Sequence, residues 1–417
     1  MVSPALRMQP ADQVSVRRNN LALVLRLLHD VGPRSRAAVA AESGLNKATV
    51  SSLVAELIDR GLVREVGTDD RRGLGRPATL LELDGRNVAA LGLELNVDFI
   101  AALATDLAGR EVFHAERPID AAGWPRQQVV ATLTRLAADA LAALGPGCST
   151  LSGITVAVPG LVDAEGRAIT LAPNLDWRDV DVGHRLAAAL GVQAPVSVDN
   201  DGNLGALAEY RVGEFAGTPN LIFVSGQTGV GGGIIVDGRL LRGATGFSGE
   251  VGHMRMAQDG PVCGCGRQGC WEAFVGLKPL LRAAVPDLAS ELEANPSLGP
   301  EDKIAKVVSR ATAGDDVALA GLERHAHWLG TGLATLVNLF NPQVIVLGGF
   351  FRDIAPWIIR TAERTMRAET IAPKAGDCIL AVSHLGFSAA ALGGAIHAAQ
   401  RVFDDPALVP YVTTAST

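Results

Sequence analysis

The stretch GEVGHMRMAQDGPVCGCGRQGCWE, residues 249–272, gathers three cysteines and a histidine within one glycine-rich run. Cys263, Cys265 and Cys270 follow the spacing C-x-C-x4-C, and the glycines between them allow tight backbone reversals. His253 is the nearest candidate for a fourth ligand. Three sulfurs and one nitrogen satisfy tetrahedral zinc with no open position, so the pattern predicts a structural Zn²⁺ site. The alternative is a set of buried free cysteines, which usually scatter through a core.

On both sides of this stretch, from Val88 onward, apolar β-type runs alternate with Ala- and Leu-rich helical stretches. Such alternation, with glycine-rich loops at the strand ends, is typical of layered α/β domains. Residues 91–112 and 223–241 each read as strand, loop, strand and glycine turn, so we expect two similar lobes with a cleft between them. The runs that carry the alternation are GITVAVPG (153–160), APVSVDN (194–200), NLIFVSGQTGVGGGIIV (220–236) and QVIVLGGF (343–350).

The first part of the chain has a different pattern, that of three helices followed by a β-hairpin. Leucines and valines at helical spacing mark the first helix, Ser35 is placed to cap a second helix that stops at Gly44, and Asn46 is placed to cap a third. Strands are expected at residues 62–66 and 78–83, around a turn-rich loop. Two helices, a tight turn, a third helix and a two-stranded wing form a winged helix-turn-helix, which is a DNA-binding arrangement.

In that arrangement the third helix lies in a major groove, and the wing touches the phosphate backbone or the minor groove. Residues 1–84 carry 12 Arg and Lys against 10 Asp and Glu, whereas the whole chain has a net charge of −7, so this head is mildly basic. The alternative is a small helical bundle with a solvated basic loop. The predicted DNA-contacting residues are Lys47, Ala48, Thr49, Ser51 and Ser52 on the third helix and Arg71, Arg72 and Arg76 in the wing.

Several motifs together resemble the ROK family of repressors, open reading frames and sugar kinases. The resemblance is carried by GEVGH, CGCGRQGCWE and SGQTGVGGG, with GITVAVPGLVD, APNLDW and VDNDGN in support, and it covers about Ala89 to Ala399. The winged helix in front is similar to that of the family's repressor branch. The resemblance implies an α/β fold of two lobes, of the actin-like, ribonuclease-H-like ATPase type, preceded by an all-α winged helix-turn-helix domain.

In the family a sugar lies in the cleft between the lobes. There, carboxylate and amide side chains each form hydrogen bonds to two neighbouring hydroxyl groups of the sugar. His253 would serve twice, with one ring nitrogen on the zinc and the other toward a sugar hydroxyl. Taken singly, an Asn or Asp beside a glycine is usually a turn residue, but as one set in family order these residues indicate a ligand pocket. The residues that match the family's sugar-binding positions are Asn174, Asn200, Asp201, Glu250, His253 and Glu272.

The resemblance also raises the question of kinase activity, because Asp201 aligns with the family's catalytic base and the glycine loop 226–233 could cradle phosphate. The first phosphate loop departs from the family's D-x-G-G-T: two glycines are replaced by Asn and Val, which hinder close approach to phosphate, and the threonine is replaced by Asp. Two like charges about 4 Å apart cost about 4 kcal/mol at an effective dielectric near 20. We therefore predict no kinase activity and a vestigial Asp201. The altered loop reads Glu94-Leu95-Asn96-Val97-Asp98.

The leading hypothesis is a sugar-responsive transcriptional regulator, most often a repressor in this branch, with operator DNA as its partner and a monosaccharide or sugar phosphate as its effector. A homodimer or homotetramer would place two third helices about 34 Å apart over a palindromic operator. The first alternative is an ATP-dependent sugar kinase with an added DNA-binding head. The second is a constitutive DNA-binding scaffold whose pocket is vestigial.

The expected organisation is modular. No apolar run reaches the ~18 uncharged residues of a membrane span and no apolar signal core begins the chain, so we expect a cytoplasmic protein. The segment 287–316 reads as a helical insert without assignable chemistry. The expected units are a head at 1–84 with its own core, a first lobe at 85–200, a second lobe at 201–400 with the zinc loop and a last helix at about 386–400 that returns to the first lobe, and a loose tail at 401–417.

Overall fold

The computed structural model describes residues 12–68, 79–145, 147–163, 165–295, 298–371 and 377–412. In this part of the chain no helix combines the length and the apolar character needed to cross a bilayer. The head contains α1 (Gln13–Val31), β1 (Arg34–Ser35), α2 (Arg36–Ser43), α3 (Lys47–Asp59), β2 (Val63–Thr68) and β3 (Thr79–Leu83).

The second and third helices of the head begin where the sequence predicts. The Oγ of Ser35 accepts a hydrogen bond from the N–H of Ala38, and the Oδ1 of Asn46 accepts one from the N–H of Thr49, so both predicted caps are confirmed. The predicted two-stranded wing is confirmed, because β2 pairs antiparallel with β3. The structure adds a short strand that the sequence did not predict: β1 pairs with β3, so the head carries a three-stranded sheet in the order β1-β3-β2. A two-residue strand is too short to leave an alternating pattern in the sequence.

Two lobes follow the head. The first contains β4 (Val88–Leu95), β5 (Phe99–Asp106), β6 (Glu111–Pro118), α4 (Arg126–Ala143), β7 (Thr150–Val158), β8 (Leu161–Val162), β9 (Ile169–Ala172), β10 (Trp177–Val180), α5 (Val182–Leu190) and β11 (Val196–Asn200). The second contains α6 (Asp201–Val212), β12 (Leu221–Gly226), β13 (Val230–Val236), β14 (Arg239–Leu240), α7 (Glu272–Val275), α8 (Leu277–Ala284), α9 (Ala289–Ala294), α10 (Pro300–Thr312), α11 (Asp316–Phe340), β15 (Val344–Gly349), α12 (Phe351–Glu369) and β16 (Ile379–Val382). The last helix is α13 (Ala389–Asp404).

The two lobes share one sheet topology. The first sheet has the order β11-β7-β4-β5-β6, and the second has the equivalent order β16-β15-β12-β13-β14. In each, three antiparallel strands are followed by two that pair in parallel. The expectation of two similar halves is therefore confirmed. The repeat also makes the turn after β4 the counterpart of the turn after β12, and both turns lie at the cleft.

Helix α13 reaches from the lobes to the head, which changes the expected organisation. Its residues Ala398, Val402 and Phe403 share one buried cluster with apolar residues of α1, and Val409 is fully buried in the same cluster. The expectation of a loose tail is wrong for residues 401–409, and the core of the head continues into α13 and the residues after it. The sequence could not show this, because Phe403 finds its partner His29 374 positions earlier in the chain.

Candidate functional site

The helix-turn-helix of the head consists of α2, the turn at residues 44–46, and α3. Three of the predicted contact residues on α3, Lys47, Ala48 and Ser51, are exposed, and Thr49 is half-buried. The opposite face of α3 packs into the head. The residues of that buried face are those of the predicted core stripe: Val50, Leu53, Val54 and Leu57.

Ser52 is exposed but already has a partner on α1. Arg17 donates from Nη2 to the Oγ of Ser52 over 3.3 Å and forms an ion pair with Glu56 at 2.6 Å, so it ties α1 to α3. Sequence analysis missed Arg17, because only the folded head brings it beside α3. The wing residues Arg71, Arg72 and Arg76 lie outside the described residues, and their role stays a prediction.

A cavity of about 450 Å³ lies between the lobes. It is bounded by the ends of β7 and β9, by the start of α6, by the turn after β12 and by the cysteine loop. The side chains predicted from the resemblance all line it: Asn174, Asn200, Asp201, Glu250, His253 and Glu272. The structure thus brings together residues that are up to 98 positions apart in the sequence.

The start of α6 supplies two of these side chains. Asn200 is the N-cap of α6; its Oδ1 accepts from the N–H of Asn203 over 3.1 Å, and its Nδ2 donates to the carbonyl of Gly160 over 3.1 Å. Its amide is therefore partly engaged in holding the cavity wall. Asp201 is the first residue of the helix, and burial raises its pKa to about 7, with the neighbouring Glu250 adding to the rise.

The wall opposite α6 carries Glu250, His253 and Glu272. Burial raises the pKa of Glu250 above its usual value. His253 turns its Nε2 toward Glu250, at 3.8 Å from Oε2, and its Nδ1 toward Cys263. Glu272 accepts at Oε2 from the N–H of Val230 over 3.1 Å. One imidazole thus faces the cavity on one side and the cysteine loop on the other, as the double role predicted for it requires.

The cysteine loop forms a compact set of four donors. One donor atom from each of His253, Cys263, Cys265 and Cys270 lies within 4.8 Å of the other three, so the group could hold a metal ion. The Sγ atoms of Cys265 and Cys270 are 3.7 Å apart, and the Sγ of Cys263 is 3.7 Å from the Nδ1 of His253. Zn–S bonds of about 2.3 Å at tetrahedral angles would place two sulfurs roughly 3.8 Å apart. The donor chemistry and spacing therefore fit tetrahedral zinc.

The two lobes are bridged at the end of the cavity where the family's phosphate loops meet. Asn96 donates from Nδ2 to the Oε1 of Gln227, and Gln227 donates from Nε2 to the Oε1 of Glu94 over 3.1 Å. Glu94 is fully buried, and burial, together with the nearby Asp201, raises its pKa to about 8. We call this group, completed by Asp98, Thr228 and Lys303, the interlobe clasp.

Asp98 is held by the second lobe. Its Oδ2 accepts from the Oγ1 of Thr228 over 3.0 Å and lies 3.5 Å from the Nζ of Lys303, which is itself buried. The expectation that Asp98 repels nucleotide through a free negative charge is therefore wrong, because Lys303 compensates that charge. Lys303 lies on α10, inside the segment to which the sequence assigned no chemistry.

Little free volume remains behind Asp201, on the side away from the main cavity. The space enclosed there by Asp201, Gln227 and Phe387 measures about 10 Å³, which is roughly the minimum for a single water molecule. At the end of β15, Phe350 and Phe351 are fully buried against Gly226. Side chains therefore pack closely in this region.

Comparison with known proteins shows similarity over both parts of the chain. A model of the ROK family matches residues 90–401, and a model of the MarR family matches residues 22–73. The xylose repressor of Bacillus subtilis is 32% identical over 389 residues, which cover 93% of this chain and 96% of that protein. A glucokinase of Streptomyces coelicolor is 36% identical over 225 residues, which cover 52% of this chain and 70% of that enzyme.

A solved structure has the same arrangement. The crystal structure of a ROK family transcriptional regulator, described as a homolog of the Escherichia coli MLC protein, superposes with a TM-score of 0.75 at 25% sequence identity. The match covers 93% of this chain and 97% of that one, so it includes both the head and the lobes.

Proposed function

The chain belongs to the ROK family, and on that premise we propose that it is a sugar-responsive, DNA-binding transcriptional repressor of carbohydrate genes. The effector is a monosaccharide or a sugar phosphate bound in the interlobe cavity, and the target is operator DNA bound by the head. Since operator DNA lies in the cytoplasm, the protein acts there.

The observation that carries this proposal is the extent of the similarity. The xylose repressor matches this chain through the head and both lobes, whereas the glucokinase matches only about half of it. The structure supports the same division. A helix-turn-helix with an exposed polar face on α3 precedes a cavity lined by carboxylates, amides and one histidine.

ATP-dependent sugar phosphorylation is less well supported. Asp201 stands at the position of a catalytic base, but phosphoryl transfer needs a bound and oriented nucleotide. Here Asn96 and Gln227 bridge the corner between the phosphate loops, and the pocket enclosed by Asp201, Gln227 and Phe387 measures only about 10 Å³. We therefore propose that Asp201 binds a sugar hydroxyl without activating it for attack on ATP.

Zinc is the metal proposed for the four donors of the cysteine loop: His253, Cys263, Cys265 and Cys270. Its chemistry there would be structural, since four protein ligands leave no open position. By holding Nδ1 of His253, the ion would fix the ring so that Nε2 points at the sugar. The loop also carries Arg267, which lines the cavity.

We propose a homodimer or homotetramer, because two helices α3 in successive major grooves require paired heads. Sugar binding must change operator affinity by a coupling free energy of about 1–3 kcal/mol to have a regulatory effect. The proposed DNA contacts on α3 are Lys47, Ala48, Thr49, Ser51 and Ser52, and those in the wing are Arg71, Arg72 and Arg76. Ser52 is held in place by its hydrogen bond from Arg17.

The test begins with selection of duplexes from a random-sequence DNA pool by the sugar-free protein. The selected duplex is then titrated in mobility-shift experiments with and without D-xylose, D-glucose or N-acetyl-D-glucosamine. We expect one sugar to change the Kd of the duplex by about 5–150-fold. Failure to select any duplex would contradict the regulator. Sugar-dependent ATP turnover that disappears in Asp201→Asn would establish the kinase instead.

A further inference from the structure

Helix α13 contacts both lobes at backbone level, close to the sugar cavity. At Gly393 an added Cβ would lie 1.9 Å from the carbonyl oxygen of Leu204, so α13 rests directly on α6. On the other side, a Cβ at Gly92 of β4 would lie 1.8 Å from the carbonyl oxygen of Ala391. Leu204 is less than one helical turn from Asp201, the cavity residue that starts α6. A shift of one lobe against the other must therefore move α13.

The other end of α13 is built into the head. Phe403 packs in the cluster of α1, with its ring centroid 4.6 Å from that of His29. Arg26 forms an ion pair with Asp404, the last residue of the helix. Because Phe403 is buried in this cluster and packs closely, α13 and α1 are expected to move together rather than slide.

Beyond α13, the chain reaches the helix that the proposed function places on DNA. Arg60, the C-cap of α3, donates from Nη1 to the carbonyl of Val409 over 2.5 Å and to that of Ala407 over 3.2 Å. Its guanidinium lies 4.2 Å from the ring centroid of Tyr411, and the N–H of Val412 donates to the carbonyl of Asp59 over 2.9 Å. Arg60 is only 8% exposed, which is rare for an arginine and indicates a built contact.

We propose that residues 389–412, which we call the C-terminal link, carry sugar-dependent movement of the lobes to α3, and that Arg60 fastens the link to that helix. This inference rests on the proposed function. The route runs from Asp201 along the first turn of α6 to Gly393, along α13 to Phe403, and through Val409 to Arg60. The steps are the two helices themselves, the close approach of Gly393 to Leu204, the shared buried cluster of Phe403 and Val409, and the hydrogen bond from Arg60 to Val409. The two ends are the sugar cavity and the end of α3.

The test separates coupling from binding. Arg60→Met keeps the stem of the side chain but removes the donors to Ala407 and Val409, together with the ion pair to Glu56 within α3. Tyr411→Ser keeps that ion pair and removes only the ring beside the guanidinium. Arg36→Met is the matched control, because it also removes a head arginine, one that pairs with Glu65 and does not touch the C-terminal link. Each protein is titrated with the duplex that the wild type selects, in the presence and in the absence of sugar. The sugar used is the one of D-xylose, D-glucose and N-acetyl-D-glucosamine that changes the duplex Kd of the wild type.

We expect Arg60→Met to leave the Kd for the sugar, measured by calorimetry, within about twofold of wild type, while the ratio of duplex Kd values with and without sugar falls at least about fivefold. Tyr411→Ser should lower the ratio of duplex Kd values by a smaller factor than Arg60→Met. If Arg60→Met does not fold, the ratio measured for Tyr411→Ser alone tests the inference. Arg36→Met should keep the wild-type ratio. Wild-type ratios in both link variants would overturn the inference. Absence of any sugar effect in the wild type would instead overturn the proposed function itself.

Discussion

Replacing Glu94 by Gln should stabilise the protein at alkaline pH. Burial raises the pKa of Glu94 from 4.5 to about 8, so the folded chain keeps a proton there that the unfolded chain releases near pH 4.5. The favourable contribution of this group is fully present below pH 4.5 and is lost as the pH rises through about 8. By linkage the loss amounts to up to about 5 kcal/mol of unfolding free energy.

Glu94→Gln keeps a neutral side chain of the same shape, whose carbonyl oxygen can still accept from Asn96 and Gln227. The variant should unfold with a free energy up to about 5 kcal/mol above wild type at pH 9, but within about 1 kcal/mol at pH 5. At roughly 2.1 cal/mol/K of unfolding entropy per residue, the alkaline difference corresponds to a melting temperature about 4–6 °C higher.

The assay is thermal melting followed by circular dichroism at pH 5, 7 and 9. Glu291→Gln, at an exposed residue of α9, is the matched control and should change the unfolding free energy by less than about 0.5 kcal/mol at each pH. Equal melting temperatures of wild type and Glu94→Gln at pH 9 would refute the reasoning. So would a stabilisation of the same size at pH 5 and pH 9, because the effect would then not arise from ionisation.

Three further outcomes follow from other parts of the molecule. Cys265→Ser should reduce bound zinc, measured by atomic emission on the purified protein, from about one ion per chain, and should weaken sugar binding; full zinc content would contradict the four-donor assignment. Lys47→Ala should weaken duplex binding by about 1–3 kcal/mol in mobility shifts, whereas unchanged binding would move the DNA contact away from the start of α3. Phe403→Ala should cost about 3–5 kcal/mol and lower a single calorimetric transition that includes the head; a separate head transition would contradict the shared cluster.

Local chemistry made much of the fold predictable. Ser35 and Asn46 cap helices because their side chains satisfy backbone N–H groups within three residues, and such signals are complete in a short window. The cysteine loop is likewise contained within 18 residues, from His253 to Cys270, so its spacing could indicate a site. The repeated strand, turn and strand pattern predicted the two lobes.

What could not be predicted depends on partners that are distant in the sequence. Nothing near Lys303 indicates that it compensates Asp98, 205 positions earlier, and nothing near Arg60 indicates Val409. The sequence shows the negative charge of Asp98, but only the folded structure shows that Lys303 pairs with it. The cavity residues formed an intermediate case, because each was an ordinary turn or helix-start residue until the family resemblance grouped them.

The burial of Val409 in the cluster of α1 has a consequence for how the protein is made. The head is synthesised before the lobes, yet residues that follow the lobes, from Ala398 to Val409, complete its packing. At about 5–20 residues per second, more than 300 residues of synthesis separate the two, an interval of roughly 15–60 s. A chain that terminates before Ala398 therefore lacks part of the buried cluster that packs its head.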